Sequence, residues 1–221
     1  MSLLLDLLFP PRCCGCGRLG GYLCPVCQNT LIPLSVKPSS DPHLQGTLSL
    51  FKYHGCLKDI LKELKFNFVT DVADTISSLA VSSLKQNYPH LLRFWQQSSF
   101  VFVPIPLHFF RQNWRGFNQA SLLGRSIAKK LNLPCVDDLL IRSRHTPPQT
   151  SQKDKSFRLQ NLSSAFKINQ RGWNPDSKSG FNNPAQNILL FDDVLTTGAT
   201  LKNAASCFPK TTNFWFLTIA G

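Results

Sequence analysis

Apolar residues recur along the chain in two periods, and together they predict helices and strands in alternation. Leu57, Ile60, Leu61 and Leu64 repeat at helical spacing, and Val72, Ile76, Leu79, Ala80 and Ser83 do so again. The first strong strand follows in the uninterrupted run Phe100-Val101-Phe102-Val103-Pro104-Ile105. A polar stretch from His108 to Gly116 reads as a loop. Ala120, Leu123, Ile127, Ala128 and Leu131 then mark one face of a helix, and Lys129 and Lys130 sit near its C-terminus, where the helix dipole favours cations. Residues 141–186 carry interspersed prolines, many polar side chains and little periodicity, so part of them is expected to form a long mobile loop. Ile188-Leu189-Leu190-Phe191 predicts a buried strand, residues 199–207 a helix, and Phe214-Trp215-Phe216-Leu217-Thr218-Ile219 a last strand. Apolar strands alternating with helices point to an α/β fold, a parallel sheet covered on both faces.

The 221 residues suffice for one good core with a small appendage. The apolar opening Met1–Phe9 has no basic lead, contains Asp6 and runs into Pro10-Pro11, so it predicts a short amphipathic helix rather than a signal peptide. No apolar run reaches bilayer length, and a cytoplasmic protein is expected. Five of the eight cysteines crowd the first 27 residues. Cys13-x2-Cys16 and Cys24-x2-Cys27 each offer two thiolates, together enough for one tetrahedral Zn2+. Four thiolates leave no open position, so the zinc is expected to be structural, closing a module too small for its own core. Cys14 is left over; the spacing favours Cys13 as the ligand. Cys56, Cys135 and Cys207 stand singly and read as buried free thiols. Pro33 to Pro42 reads as a linker, which sets the domains at 1–40 for the zinc module with its linker and 41–221 for the remainder.

Charge adds a ligand class. The net charge is +12, and most of the excess lies in residues 100–182, where thirteen bases face four acids. Residues 142–171 alone hold seven bases against Asp154. A surplus so concentrated suits a polyanion, either a pyrophosphate or a nucleic acid.

Two stretches add specific chemistry. The first runs through Phe191 to Asp192, Asp193, Val194, Leu195, Thr196, Thr197, Gly198, Ala199 and Thr200, a strand, a loop and the start of a helix. A loop there turns backbone N–H groups outward, Gly198 permits close approach, and the threonine hydroxyls add donors; a phosphate monoester fits. Two adjacent carboxylates beside a phosphate need partners of their own, and vicinal sugar hydroxyls with a divalent cation would supply them. The second runs from Val103-Pro104-Ile105-Pro106 through Arg111 and Arg115-Gly116-Phe117-Asn118-Gln119. It too follows a strand and precedes a helix, so it should lie at the same sheet edge. Two arginines four apart, with no acid between Pro104 and Asp137, suit a pyrophosphate. Arg142, Arg144, Thr146, Gln149, Arg158, Asn161 and Phe166 occupy the basic aperiodic segment, which could serve as a lid over a reactive sugar cation or simply as a basic loop.

The first stretch closely resembles the signature of type I phosphoribosyltransferases. That resemblance implies that Asp192 and Asp193 hold ribose hydroxyls and that Thr196 to Thr200 wrap the 5′-phosphate of 5-phosphoribosyl-1-pyrophosphate. The joint order of the cysteine module, a lysine-bearing helix with Lys65, V-P-I-P, R-G-F-N-Q, L-x-R-x-R-x-T-x-x-Q, R-x-x-N, A-F and D-D-V-x-T-T-G-A-T resembles the ComF family, competence-associated phosphoribosyltransferase-like proteins. The likeness runs from about Pro10 to Gly221. It implies handling of incoming single-stranded DNA during natural transformation, in association with the DNA-uptake machinery.

The functions to be separated are therefore three. One is phosphoribosyl transfer with Mg2+ to an unidentified acceptor, with Asp192, Asp193, Arg111 and Arg115 as catalytic residues. Another is a single-strand-binding competence protein whose phosphoribosyl pyrophosphate site only senses or is a relic, using the basic segment 142–171, the zinc knuckle and aromatics such as Trp114 and Phe117. The third, a nucleobase salvage enzyme, fits less well. The zinc knuckle is foreign to it, and the sequence stops directly after its last strand, where salvage enzymes are expected to continue.

Overall fold

A computed structural model describes residues 10–41, 43–66, 70–107, 117–142, 165–169 and 187–221. The elements in chain order are α1 (Pro25–Gln28), β1 (Lys37–Pro38), β2 (Leu44–Phe51), α2 (Gly55–Phe66), α3 (Thr70–Asn87), α4 (Pro89–Gln97), β3 (Val101–Pro104), α5 (Gln119–Leu131), β4 (Leu140–Arg142), β5 (Phe166–Ile168), β6 (Asn187–Val194), α6 (Ala199–Ala205) and β7 (Asn213–Ala220). Five strands form one sheet in the order β1-β2-β7-β6-β3, in which only β1 is antiparallel. The expected α/β parallel-sheet core is therefore present. The strands at 101–104, 187–194 and 213–220 and the helices at 55–66, 70–87 and 119–131 coincide with the periodic segments.

Alternation of side chains divides the core between the two faces. Leu189, Phe191, Trp215, Leu217 and Ile219 face α2, α3, α4 and α5. Ile188, Leu190, Phe214 and Phe216 face α6 and the small β4–β5 hairpin. Burying each such side chain contributes roughly 1.5–3 kcal/mol, so burial on both faces explains why these strands read as continuous apolar runs.

Connectivity fixes where loops gather. After α5 the chain returns beside β3 on the flank away from β6, through a parallel bridge between Phe102 and Cys135. Phe102 N–H donates to Pro134 O at 2.8 Å, and Val136 N–H to Phe102 O at 3.0 Å. From β6 the chain instead crosses through α6, on the opposite face, to β7. The two crossovers thus diverge at the boundary between β3 and β6. In open parallel sheets that boundary opens a crevice at the C-terminal strand ends.

Residues 33–41 are not a free linker. Leu34 N–H donates to Leu50 O at 3.2 Å, Lys52 N–H donates to Ile32 O at 2.8 Å, and β1 pairs Lys37 with Thr47. The segment is an edge strand along β2, a place where Pro33 and Pro38 cost no central ladder bond. Tyr88, at the start of α4, donates its hydroxyl to Leu34 O. β2 and α4 are elements that periodicity did not find. Residues 141–186 also contain more structure than a loop, since β4 and β5 pair across them with Arg142 opposite Phe166; residues 143–164 and 170–186 lie outside the described residues.

Gly46 lies within β2 because an indole occupies the space above it. A Cβ there would sit 2.6 Å from two ring atoms of Trp215. Alanine normally suits a strand interior better than glycine, yet here overpacking should win and Gly46→Ala should cost about 1–3 kcal/mol. The expected result is a lower denaturant midpoint at unchanged slope. Equal midpoints would mean the indole can shift aside.

Candidate functional site

Both chemical stretches start from the C-terminal ends of the strands that flank the crevice. Ile105, just past β3, donates its N–H to Phe191 O of β6 at 2.8 Å, so the two strand ends are held together. The start of α5 is pinned to the same place. Asn118 caps α5 by accepting the Ala120 N–H at 3.1 Å, while its own amide donates to Ile105 O at 3.1 Å and to Ser121 Oγ at 2.8 Å. Asn118 thus ties the start of α5 to the end of β3, a role its place in R-G-F-N-Q did not reveal. Arg111 and Arg115 lie outside the described residues, as do Trp114, Arg144, Thr146, Gln149, Arg158 and Asn161.

Asp192 and Asp193 occupy the last turns of β6, both partly buried. The Asp193 N–H donates to Asp192 Oδ1 at 2.9 Å, which orients the first carboxylate. Asp192 pairs in register with Thr218 of β7, whose hydroxyl donates to Ser49 Oγ at 2.9 Å. The sheet therefore turns polar toward its C-terminal edge, beyond the apolar runs Ile188–Phe191 and Phe214–Leu217. Beyond Val194, the Leu195 N–H donates to Ala220 O at 2.7 Å, and Thr196 and Thr197 stand exposed. Gly198 has φ 73° and ψ 0°, the left-handed region that favours glycine, and it is the residue before α6. Thr197 Oγ1 accepts the Ala199 N–H at 3.4 Å, and Thr200 lies in the first turn of the helix. The strand, loop and helix-start reading of 191–200 matches the described backbone.

Among the described residues two cavities border this edge. One of about 460 Å3 lies between the start of α5 and the hairpin, and brings Phe117 and Arg142 to a common wall with Arg125 and Asp137, which pair. The Arg142 guanidinium lies 5.4 Å from the ring centroid of Phe166, within cation–π range. The other, of about 310 Å3, is walled by Leu195–Gly198 on one side and Lys37–Ser40 on the other. Lys37, Ser39, Ser40 and Lys202 were not foreseen at this edge, since the first three fall in what reads as a linker.

The cysteine module forms as its spacing predicts. The Sγ atoms of Cys13, Cys16, Cys24 and Cys27 all lie within 4.8 Å of one another. Zn–S bonds of about 2.3 Å at tetrahedral angles place sulfurs about 3.8 Å apart, so the cluster can hold a zinc ion with small adjustment. Burial pushes the Cys13 thiol up, but the backbone N–H groups of Cys24, Cys16 and Gly15 outweigh it and hold the thiol at about 6. The Cys27 N–H draws Cys24 down as well. Cys27 is driven upward by its neighbour Cys13 and then by burial. Four sulfurs so close cannot all carry charge without a cation between them, and a divalent metal removes that conflict. Cys14 lies outside the cluster, its thiol raised to about 11 by burial and by Glu63. Cys56 is not isolated: it packs on the cluster and donates to Cys27 O at 3.4 Å.

Among the described residues no helix is long and apolar enough to cross a membrane. No family model matches the chain. Curated relatives do, among them the following three. Competence protein F of Haemophilus influenzae is 30% identical over 203 residues, covering 90% of this chain and 79% of the relative. Competence protein ComFC of Bacillus subtilis is 30% identical over 204 residues, covering 86% and 72%. DNA utilization protein YhgH of Escherichia coli K12 is 26% identical over 200 residues, covering 87% and 80%. With identity at that level along nearly the whole length, an α/β parallel sheet and a four-cysteine module at its start, the chain belongs to the ComF family.

Proposed function

We propose that the protein binds 5-phosphoribosyl-1-pyrophosphate with Mg2+ and acts in the uptake or use of DNA, transferring the phosphoribosyl group to an acceptor yet to be identified. The observation that carries this reading is the common origin of the two chemical stretches. One leaves the end of β3 and the other the end of β6, adjacent strands flanking the crevice where the crossovers diverge. The competence and DNA-utilisation names of the relatives support the cellular role.

In this reading Thr196 to Thr200 hold the 5′-phosphate, Asp192 and Asp193 grip the ribose hydroxyls, and Arg111 and Arg115 bind the pyrophosphate. The C1–O bond breaks with its electron pair leaving on pyrophosphate. The sugar passes through an oxocarbenium-like state, and an acceptor lone pair then bonds to C1 as the acceptor loses a proton. Mg2+ bound with the substrate would offset the charge of the leaving pyrophosphate. The test is pyrophosphate release in the presence of candidate acceptors. Release that depends on an acceptor and disappears in Asp192→Asn/Asp193→Asn supports transfer; tight binding with no release under any acceptor leaves a sensing site.

The second reading, a single-strand-binding protein with a sensing site, is favoured by the surplus of six positive charges within residues 142–171. Single-strand affinity should then fall linearly with salt on logarithmic axes, at a slope of about −0.7 per phosphate contact. Fluorescence anisotropy with short oligonucleotides measures it. A flat salt response, or unchanged binding in Lys153→Ala/Lys155→Ala/Arg158→Ala, places the strand elsewhere.

A further inference from the structure

The cavity of about 310 Å3 beside the phosphate loop has two walls from distant parts of the chain. Residues 195–198 form one. The other is β1 and the turn after it, Lys37 to Ser40, held against the sheet by pairing with β2. Leu44 and Thr47 of β2 and Phe216 of β7 complete the lining on the α6 face. Two lysines enter it from opposite walls, Lys37 from β1 and Lys202 from α6, and no Asp or Glu contributes to the lining. Among the described residues neither lysine forms an ion pair, whereas Lys62, Arg125 and Lys130 do. Like charges gathered round one hollow repel unless an anion lies between them. Hydroxyls of Ser39, Ser40, Thr196 and Thr197 supply uncharged donors at the same place.

We propose that this cavity takes the phosphomonoester end of the sugar phosphate, and that Lys37 and Lys202 are binding residues that neutralise it. The proposal rests on the reading of residues 196–200 as the phosphate loop. The charge match selects the ligand: a monoester carries close to two negative charges at neutral pH, a backbone phosphodiester only one. The volume admits a phosphate with part of its sugar. The seven-residue α6 contributes little by its dipole; the work falls to the lysines and to a wall that the phosphate motif itself does not contain. The stretch from Lys37 to Ser40 is thus a second half of the site, brought in by the edge strand that leads out of the cysteine module.

The experiment is calorimetry on the full chain with four probes: ribose 5-phosphate, 5-phosphoribosyl-1-pyrophosphate with Mg2+, inorganic pyrophosphate, and an oligonucleotide without terminal phosphate. Wild type is compared with Lys37→Ala, Lys202→Ala and the double variant, each checked by melting. Both sugar phosphates should weaken by about threefold to tenfold per lysine and at least about tenfold in the double variant. Pyrophosphate binding should not change. If wild type binds 5-phosphoribosyl-1-pyrophosphate and the double variant binds it equally well, the lysine proposal falls and the substrate reading stands. Lysine-dependent binding of ribose 5-phosphate, with no gain from the pyrophosphate group, overturns the substrate reading and keeps the cavity. Wild type that ignores ribose 5-phosphate, or a double variant that loses only the oligonucleotide, overturns the proposal.

Discussion

Asp192→Asn/Asp193→Asn should bind 5-phosphoribosyl-1-pyrophosphate at least about tenfold more weakly than wild type and still fold. Asparagine keeps the size of each side chain but replaces an anionic acceptor by a neutral one, and one lost charge-assisted hydrogen bond costs roughly 1.5 kcal/mol or more. The fold should persist because both acids end β6 at the polar sheet edge, above the buried run from Ile188 to Phe191. Gly198→Val should abolish binding by another route. A Cβ at Gly198 would meet nothing of the protein closer than Leu195 Cδ1 at 3.7 Å, so it intrudes chiefly on the space a bound phosphate needs. The left-handed backbone at φ 73° adds about 1–2 kcal/mol of strain, which melting should register as a modest loss. Calorimetry with Mg2+ present and parallel melting curves read both effects. Wild type that does not bind, or two folded variants that bind as tightly as wild type, would sink the phosphoribosyl site.

Stripping the metal, or Cys24→Ala, should unfold residues 10–31 and leave the parallel sheet intact. The module has almost no core of its own: Cys13, Cys24 and Cys27 are its buried side chains, and they pack on Cys56 with Leu23 and Leu31 alongside. Structural zinc binds such modules with an apparent free energy of about 10–16 kcal/mol, and most of that is folding energy for the module. Elemental analysis should find one zinc per chain, and hydrogen exchange after chelation should rise in the module well before it rises in β6 and β7. Cys14→Ala should keep the metal, because its thiol lies outside the cluster. Zinc-free protein from a preparation without chelator would sink the assignment. So would metal that survives Cys13→Ala but not Cys14→Ala. Because Ile32 to Pro38 runs from this module directly along β2, chelation should also loosen the Lys37 wall.

Elements whose pattern is local could be read from the residues alone. α5 carries its apolar face and its terminal lysines within thirteen positions, and β6 and β7 are buried on both sides, so each reads as an unbroken apolar run. The cysteine ligand set follows from two short spacings. What could not be read depended on residues far away. β2 holds a glycine in its middle only because the ring of Trp215 covers it, and Trp215 in turn donates to Gln45 Oε1 at 2.9 Å across 170 positions. Residues 33–38 look like linker because proline and serine are common in linkers, yet on a sheet edge the same prolines are harmless. α4 opens on Pro89, which suits a first helical turn, but it is only nine residues long. The Lys37 and Lys202 contribution to the phosphate cavity was hidden for the same reason, since it exists only once β1 lies beside β2.

β7 lies in the interior of the sheet, between β2 and β6, although its residues come after those of every other strand. A growing chain therefore makes β2 about 160 residues before the strand that covers its inner edge. Until then the Leu48 and Leu50 flank of β2 and the 188–191 flank of β6 present unpaired apolar edges to whatever is nearby. Residues 213–220 act as a keystone, and synthesis halted before Asn213 should yield chains prone to association instead of partly folded monomers. The wall formed by residues 195–198, anchored by the Leu195 N–H on Ala220 O, is consequently set late, when the last strand locks β2 and β6 into register.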